Sequence, residues 1–441
     1  MRAHLTPVYF QDIDRTEFSN NLKEIKSLLA EDAKFSEPVP LAEVKSVAEK
    51  VDALVFPQLV RKIYRKHEIL KSAGLPVLAL TSEFGTVSMW DWEIVTYLRD
   101  QGINVFSPYD VKIARMICRS LALKQEMKGK KFLVFQDSPG EGMQASIFKR
   151  FYWWEEESIN RIKDRFGIEV VKKSYRKLGE RVNSISDQEA EQVLSKKEIP
   201  TQNLRKENLL SAIKLYMGLK WEIEETGNIG GIGTNCLNES YFSDTTPCLA
   251  WDLLFEEQEM IWGCEADLLS LLSKYVIYKV LQTPLMMSNI YPFLMGQAAL
   301  KHERISHFPE VEEPENHILV AHCGYLGVLP RSFASDWCLK PGVLEIVEDN
   351  SVAIDARLPE GGITMAKLHH NLERMFAVEG KLEGYAQYPD SDCKNGAIIK
   401  VDDGKEFMEN VYSHHIIFLT GHRKYELKLL GKILGLNIEP E

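Results

Sequence analysis

The sequence predicts an α/β protein: Rossmann-like N-terminal and central α/β domains, followed by an α+β or small-barrel C-terminal domain. Three observations predict it. Short continuous apolar runs alternate with longer amphipathic stretches through the first 127 residues, and the same alternation restarts after the charged link Lys128-Gly129-Lys130-Lys131. Beyond about residue 285 the pattern changes to strand runs joined by hairpin signals. Continuous apolar strands between amphipathic helices indicate parallel sheets covered on both faces, whereas hairpins indicate antiparallel pairing. The resulting domains are 1–127, 128–285 and 286–441.

In the first domain the apolar runs are Asp52–Pro57, Leu75–Leu80 and Ile103–Phe106. They are followed by an amphipathic stretch over Gln58–Ser72, a helical pattern through Arg99 and a helix from Asp110 to Met127. The second domain has strands at Phe132–Phe135 and Ile168–Val171, with a helix over Met143–Phe166 between them. Further helical patterns cover 186–197, 204–225 and 265–281. The glycine-rich stretch Gly227–Gly233 follows a long helix and reads as the loop that ends it. In the third domain Val343–Val347 and Ser351–Asp355 flank Glu348-Asp349-Asn350 as a hairpin. Strands at Gly384–Tyr388, Ala397–Val401 and Ile416–Leu419 and a helix over Lys424–Leu434 complete it.

Composition narrows the function. With 45% apolar and 27% charged residues the chain reads as globular, and a net charge of −11 disfavours nucleic acid and anionic membrane as partners. No apolar run approaches the ~18 residues of a transmembrane helix, and the N-terminus lacks a signal-peptide core. The seven cysteines form no CxxC pair, so neither a disulfide framework nor a zinc knuckle is expected. These features predict a cytoplasmic protein with reduced thiols.

Three segments expose metal-capable side chains: Trp262-Gly263-Cys264-Glu265-Ala266-Asp267, Val320-Ala321-His322-Cys323-Gly324 and Ser413-His414-His415. Each stands at the end of an apolar run, the usual way to aim a carboxylate or imidazole into a cleft that binds a divalent ion. Each also has a plainer reading. Glu265 and Asp267 suit a helix N-terminus on electrostatic grounds alone, and a histidine ending a strand is commonly a structural one. Strand alternation lets only one of His414 and His415 face a given site, and it separates Cys323 from His322, which disfavours a Cys–His nucleophile. His422 reads as a surface or helix-start residue.

Gly227–Gly233 is not GxGxxG, so a dinucleotide site is not indicated. Ser138-Pro139-Gly140-Glu141-Gly142 lies between a strand and a helix, where backbone amides can hold an anion, but it lacks the lysine of an ATP loop.

In this order and context the three segments resemble the metal-site segments of the L-fucose/L-arabinose isomerase family. The resemblance covers roughly 226–435 and includes the stretch Thr245–Ala250 ahead of the acidic segment. It implies a Mn²⁺-dependent or similar divalent-ion enzyme that interconverts an aldose and its ketose through an enediol. Glu265 would be a ligand and acid/base, and His322 and His415 ligands. The family's second acidic ligand falls on Ser288 or Asn289, neither of which is a carboxylate; Asn289 becomes a neutral oxygen ligand or substrate contact. A monosaccharide substrate and a homotrimer or homohexamer are implied on the same ground. Loss of the acid keeps open a non-catalytic, sugar-binding relative, or another metal-assisted reaction on a carbonyl substrate.

Overall fold

A computed structural model of the chain describes every residue except 11–13, 59, 61–62, 83, 143, 151–154, 293–303, 306–309, 344–345, 348 and 441. Contacts divide it into two compact units. The first holds Met1–Glu126 with the pieces Lys279–Leu281 and Lys428–Gly435; the second holds Met127–Tyr278, Gln282–Leu427 and Leu436–Glu441.

The first unit is built on a parallel sheet of six strands: Ala3–Tyr9 (β1), Ala33–Phe35 (β2), Val39–Pro40 (β3), Ala53–Phe56 (β4), Val77–Ala79 (β5) and Val105–Phe106 (β6). Their order is β2-β1-β4-β5-β6, with β3 also on β1. Three of the predicted apolar runs supply β4, β5 and β6, and the predicted last helix is Val111–Glu126. Every residue of β4 and β5 is buried, as expected for strands with covered faces. Helix Arg15–Leu28 starts where the Asp14 carboxylate accepts the Thr16 and Glu17 amides, and it buries Phe18, Leu22 and Ile25. The segments after β5 and β6 carry exposed Phe84, Met89, Trp90, Trp92 and Tyr109.

In the second unit a parallel sheet is ordered β10-β9-β7-β8 from Lys131–Phe135 (β7), Glu169–Lys173 (β8), Ile229–Thr234 (β9) and Ile261–Gly263 (β10). Here the sequence reading needs correction: the glycine-rich stretch is no loop but supplies strand β9. Strand propensity hides it, because glycine adds no side chain to a strand's pattern. Packing explains it. A Cβ on Gly231 would lie 2.8 Å from Leu271 Cδ1, and one on Gly230 would lie 3.1 Å from the Tyr275 ring. The glycines thus let helix Leu268–Leu281 lie tightly on the sheet. The helix expected over Met143–Phe166 is found at Glu156–Phe166, with residues 143 and 151–154 outside the described set.

The rest of the second unit is a closed, six-stranded antiparallel barrel. Its strands are Leu285–Pro292 (β11), His317–Ala321 (β12), Gly361–Leu368 (β15), Arg374–Gln387 (β16), Asn395–Val401 (β17) and His415–Thr420 (β18). The order β15-β18-β11-β12-β17-β16 closes through β15–β16, and Asn437–Glu439 (β19) adds to β16 in parallel. Outside the barrel, Asp336–Pro341 (β13) pairs with Val352–Arg357 (β14). The expected hairpin therefore joins β14 to an earlier strand than Val343–Val347, of which residues 344 and 345 lie outside the described set. No helix among the described residues is long and apolar enough to cross a membrane.

Candidate metal centre

Glu265 stands just beyond β10, at the carboxyl end of the parallel sheet. Gly263, the last residue of β10, leaves room for Leu271 and for the Asp267 carbonyl, each within 3.3 Å of where its Cβ would be. The chain then turns through two consecutive left-handed residues, Glu265 (φ 53°) and Ala266 (φ 56°), before Asp267 caps helix Leu268–Leu281. A non-glycine residue in this region costs roughly 1–2 kcal/mol, and such strain collects at functional sites. The Glu265 amide is directed at Cys236 Sγ, 3.3 Å away. The result is a glutamate that is only 8% exposed.

The two histidines come from the barrel. His322 follows β12 at the first corner of a tight turn, with His322 N–Tyr325 O and Tyr325 N–His322 O at 2.6 and 3.1 Å. Cys323 (φ 51°) and Gly324 (φ 84°) fill the two left-handed central positions that such a hairpin requires. His415 opens β18. The pairing register sets Asn289 of β11 opposite both Ala321 of β12 and His415 of β18. The strand carrying Asn289 therefore runs between the two that deliver the histidines.

Glu265, His322 and His415 form a buried group able to hold a metal ion: one ligand atom from each lies within 4.8 Å of the others. Glu265 Oε1 is 3.3 Å from His322 Nε2 and 3.7 Å from His415 Nε2. Asn289, opposite His415 in the sheet, has its Oδ1 buried and without a hydrogen bond, while Nδ2 lies 3.5 Å from the Tyr291 hydroxyl. Ser288 has another role: its hydroxyl donates to Leu326 O at 2.7 Å.

Behind His415 is a charged layer that the sequence reading missed. Asp267 Oδ2 receives His415 Nδ1 at 2.9 Å, Lys367 Nζ of β15 at 3.0 Å and the Ser270 hydroxyl at 2.6 Å, while Oδ1 takes the Ser270 amide at 2.9 Å. Lys367 Nζ also bonds Ser270 Oγ. Asp267 and Lys367 are both fully buried. A carboxylate on Nδ1 fixes the ring so that Nε2 faces Glu265, as is usual for metal-binding imidazoles. The visible signal was Asp267 with Ser270 three residues on, a helix-cap pattern; nothing in it announces His415 or Lys367.

The electrostatics follow from these contacts. Burial alone would raise the Glu265 pKa, but the charge of His415 and the closeness of both imidazoles outweigh it and hold the carboxyl far below its usual range. Burial likewise depresses His415, yet the Glu265 and Asp267 carboxylates win and raise it to about 9. Asp267 is held down against its burial by Lys367 and His415. The cluster is thus a network of ion pairs in which the Glu265 and Asp267 carboxylates flank the His415 imidazole.

Other sequence candidates fall elsewhere. His414 is exposed, its ring centroid 4.4 Å from that of His415. Burial pushes the Cys323 thiol well up, which leaves a poor nucleophile. His422 is an exposed residue two positions before the C-terminal helix. The loop at Ser138 does present amides to an anion, but an internal one: the Glu239 carboxylate takes the Asp137 amide at 2.9 Å and the Ser138 amide at 2.6 Å.

Fold and site thus define an α/β protein with a closed antiparallel barrel and a buried carboxylate–imidazole group able to hold an ion. No protein-family model matches the chain, and a comparison with curated proteins likewise finds no match.

Proposed function

We propose that the protein is a metal-dependent aldose–ketose isomerase of the L-fucose/L-arabinose isomerase type, with Rossmann-like parallel units and an altered metal site. The observation that carries this reading is the convergence of Glu265, His322 and His415, from three distant segments, on one buried spot. One carboxylate and two imidazoles suit Mn²⁺, Fe²⁺ or Zn²⁺ better than Mg²⁺. Ligand atoms within 4.8 Å need only a small contraction to reach bonds of about 2.0–2.2 Å. The orphaned Asn289 Oδ1 adds an acceptor for the ion or for a sugar hydroxyl.

When bound, the ion polarises the carbonyl and hydroxyl oxygens of the sugar as charge develops on them. The chain's own residues do the rest. Glu265 is ionised at neutral pH, the form required of a ligand and of a group that takes a proton from carbon. Asp267 holds His415 in one tautomer, and Lys367 keeps Asp267 charged in the interior. Asn289 orients a hydroxyl without supplying a second base. The substrate is a monosaccharide, and the protein works as a homotrimer or homohexamer in the cytoplasm. The exposed aromatics after β5 and β6 support assembly.

Asn289 in place of a carboxylate favours one other reading, a relative that binds a sugar without converting it. Metal analysis of the wild type and Glu265→Gln, followed by an aldose screen, separates the two. About one divalent ion per chain, lost in the variant, with ketose formation supports the isomerase. Metal and a sugar-raised Tm without product support the binder. No metal in either protein overturns the proposal.

A further inference from the structure

The loop after β7 and the short helix after β9 close on one another at the carboxyl edge of the second unit's parallel sheet. From β7 the chain crosses to β8 on one side, and from β8 it returns to β9 on the other. In open α/β sheets the crevice outside the strand ends at such a reversal is where ligands bind. Here its walls are residues 136–144 and 235–239. Glu239 clasps them by taking the Asp137 and Ser138 amides, and Asn238 by donating Nδ2 to Glu141 O at 2.5 Å.

Beyond that clasp the loop keeps donors unused. Gly140 (φ 67°) and Gly142 (φ 62°) are left-handed, and the amides of Glu141 and Gly142 meet no acceptor among the described residues. Gln144, only 5% exposed, spends Oε1 on the Gly140 amide at 3.2 Å and leaves Nε2 buried without a partner. Lys149 runs across the same glycine: a Cβ on Gly140 would lie 2.8 Å from Lys149 Cγ and 2.9 Å from its Cε. Among the described residues no carboxylate pairs with that ammonium. Two backbone N–H groups, a buried amide and a free cation thus gather at one glycine turn without an acceptor. The carboxylates beside them are engaged already, Glu239 by the loop and Asp137 by the Arg176 amide at 2.9 Å. Such a turn is a ready anion site.

It also stands within a sugar's length of the metal-capable group. Val134 of β7, Gly233 of β9 and Gly263 of β10 are level in the sheet. Two strand spacings of ~4.8 Å therefore separate the end of β7 from the end of β10, which Glu265 follows. Phe148, next to Lys149, has its ring centroid 5.6 Å from that of His414, the neighbour of His415.

We propose that the turn 140–142, with Gln144 and Lys149, holds the phosphate of a phosphorylated monosaccharide whose carbonyl end lies at Glu265, His322 and His415. This names the substrate class of the isomerase reading and rests on it, whereas the phosphate contacts themselves need no metal. Lys149 supplies charge on a flexible arm that lifts from Gly140 to admit the anion, and the amides and Gln144 Nε2 supply direction.

Calorimetric titration with inorganic phosphate, a panel of aldopentose 5-phosphates and the free pentoses tests both halves. Inorganic phosphate should bind the wild type, and at least one pentose phosphate should bind about tenfold or more tighter than phosphate or its own free pentose. Lys149→Met should weaken every phosphate ligand about tenfold and leave the free pentoses unchanged. No phosphate binding, or binding indifferent to Lys149→Met, overturns the site. Pentose phosphates no tighter than inorganic phosphate overturn the sugar-phosphate assignment in favour of a free-anion site. Glu265→Gln should lose the divalent ion and keep phosphate. Metal missing from the wild type while phosphate still binds would overturn the isomerase reading and support the phosphate site.

Discussion

The two units use charge in opposite ways. Among the described residues the first buries only two ionic side chains, Asp32 and Asp91, and it turns aromatic side chains outward, with Phe84 at 71%, Trp90 at 65%, Trp92 at 61% and Tyr109 at 85% exposed. The second draws Glu265, Asp267, Lys274, Lys367, His322 and His415 almost wholly out of water. Burying ions is expensive and adds little net stability even when they are paired. A unit that buries six of them gives up stability to hold a fixed arrangement of charge. A unit that exposes large aromatics is arranged for contact.

The widest gap between the units is expected on removing an anchor in the charged cluster. Asp267→Asn removes the carboxylate that faces the buried Lys367 ammonium, and should cost about 3–5 kcal/mol in denaturant unfolding of the second unit. Adding Lys367→Met should recover part of that loss; an unchanged midpoint in the single variant would show that the pair carries no such burden.

Proton occupancy gives the next effect. With His415 raised to about 9, a divalent ion must displace its proton, so apparent metal affinity should climb about tenfold per pH unit from neutrality and level off above 9. The sign is opposite for the metal-free fold. A raised histidine contributes stability that is complete below its unfolded value of ~6.5 and is lost as pH rises through 9. Calorimetric titration and Tm across this range, with Glu265→Gln for reference, test both slopes, and flat profiles would contradict the ion-pair description.

Lys274 offers a smaller contrast. Burial depresses it to about 7, so ordinary lysine protonation opposes folding as pH falls below its unfolded range. Lys274→Met should therefore raise stability at neutral pH by ~1–2 kcal/mol, read by denaturant midpoint. A loss of stability would mean that the ammonium already has compensating charge. The smallest change is expected in the first unit. Trp90→Ser and Trp92→Ser should alter stability by no more than about 0.5 kcal/mol, yet shift the assembly state in light scattering.

Sequence patterns revealed these features unevenly. Apolar runs located β4, β5, β6, β7 and β18 because a buried strand must be apolar along its length. The glycine strand β9 escaped that logic: its selection is for the absence of side chains, and only the facing Leu271 and Tyr275 show why. The three metal-capable residues were legible because each borders an apolar run. Lys367 was not, since a lysine within an otherwise apolar strand carries no sign of the carboxylate that it will meet. Cys236, Cys248, Cys264 and Cys323 looked scattered for the same reason, as they line one small cavity only after four separate elements converge.

The close fit at β9 enlarges the set of positions on which the chemistry depends. Helix Leu268–Leu281 can approach the sheet only because Gly231 leaves its space to Leu271, and the first turn of that helix carries the cap that steers His415. A residue with no functional group thus sits at the root of a lever whose tip is an imidazole. A genetic screen that reads the integrity of this site would return glycine codons alongside those of Glu265, His322 and His415, and inheritance of the site would be constrained at places where no chemist would think to look.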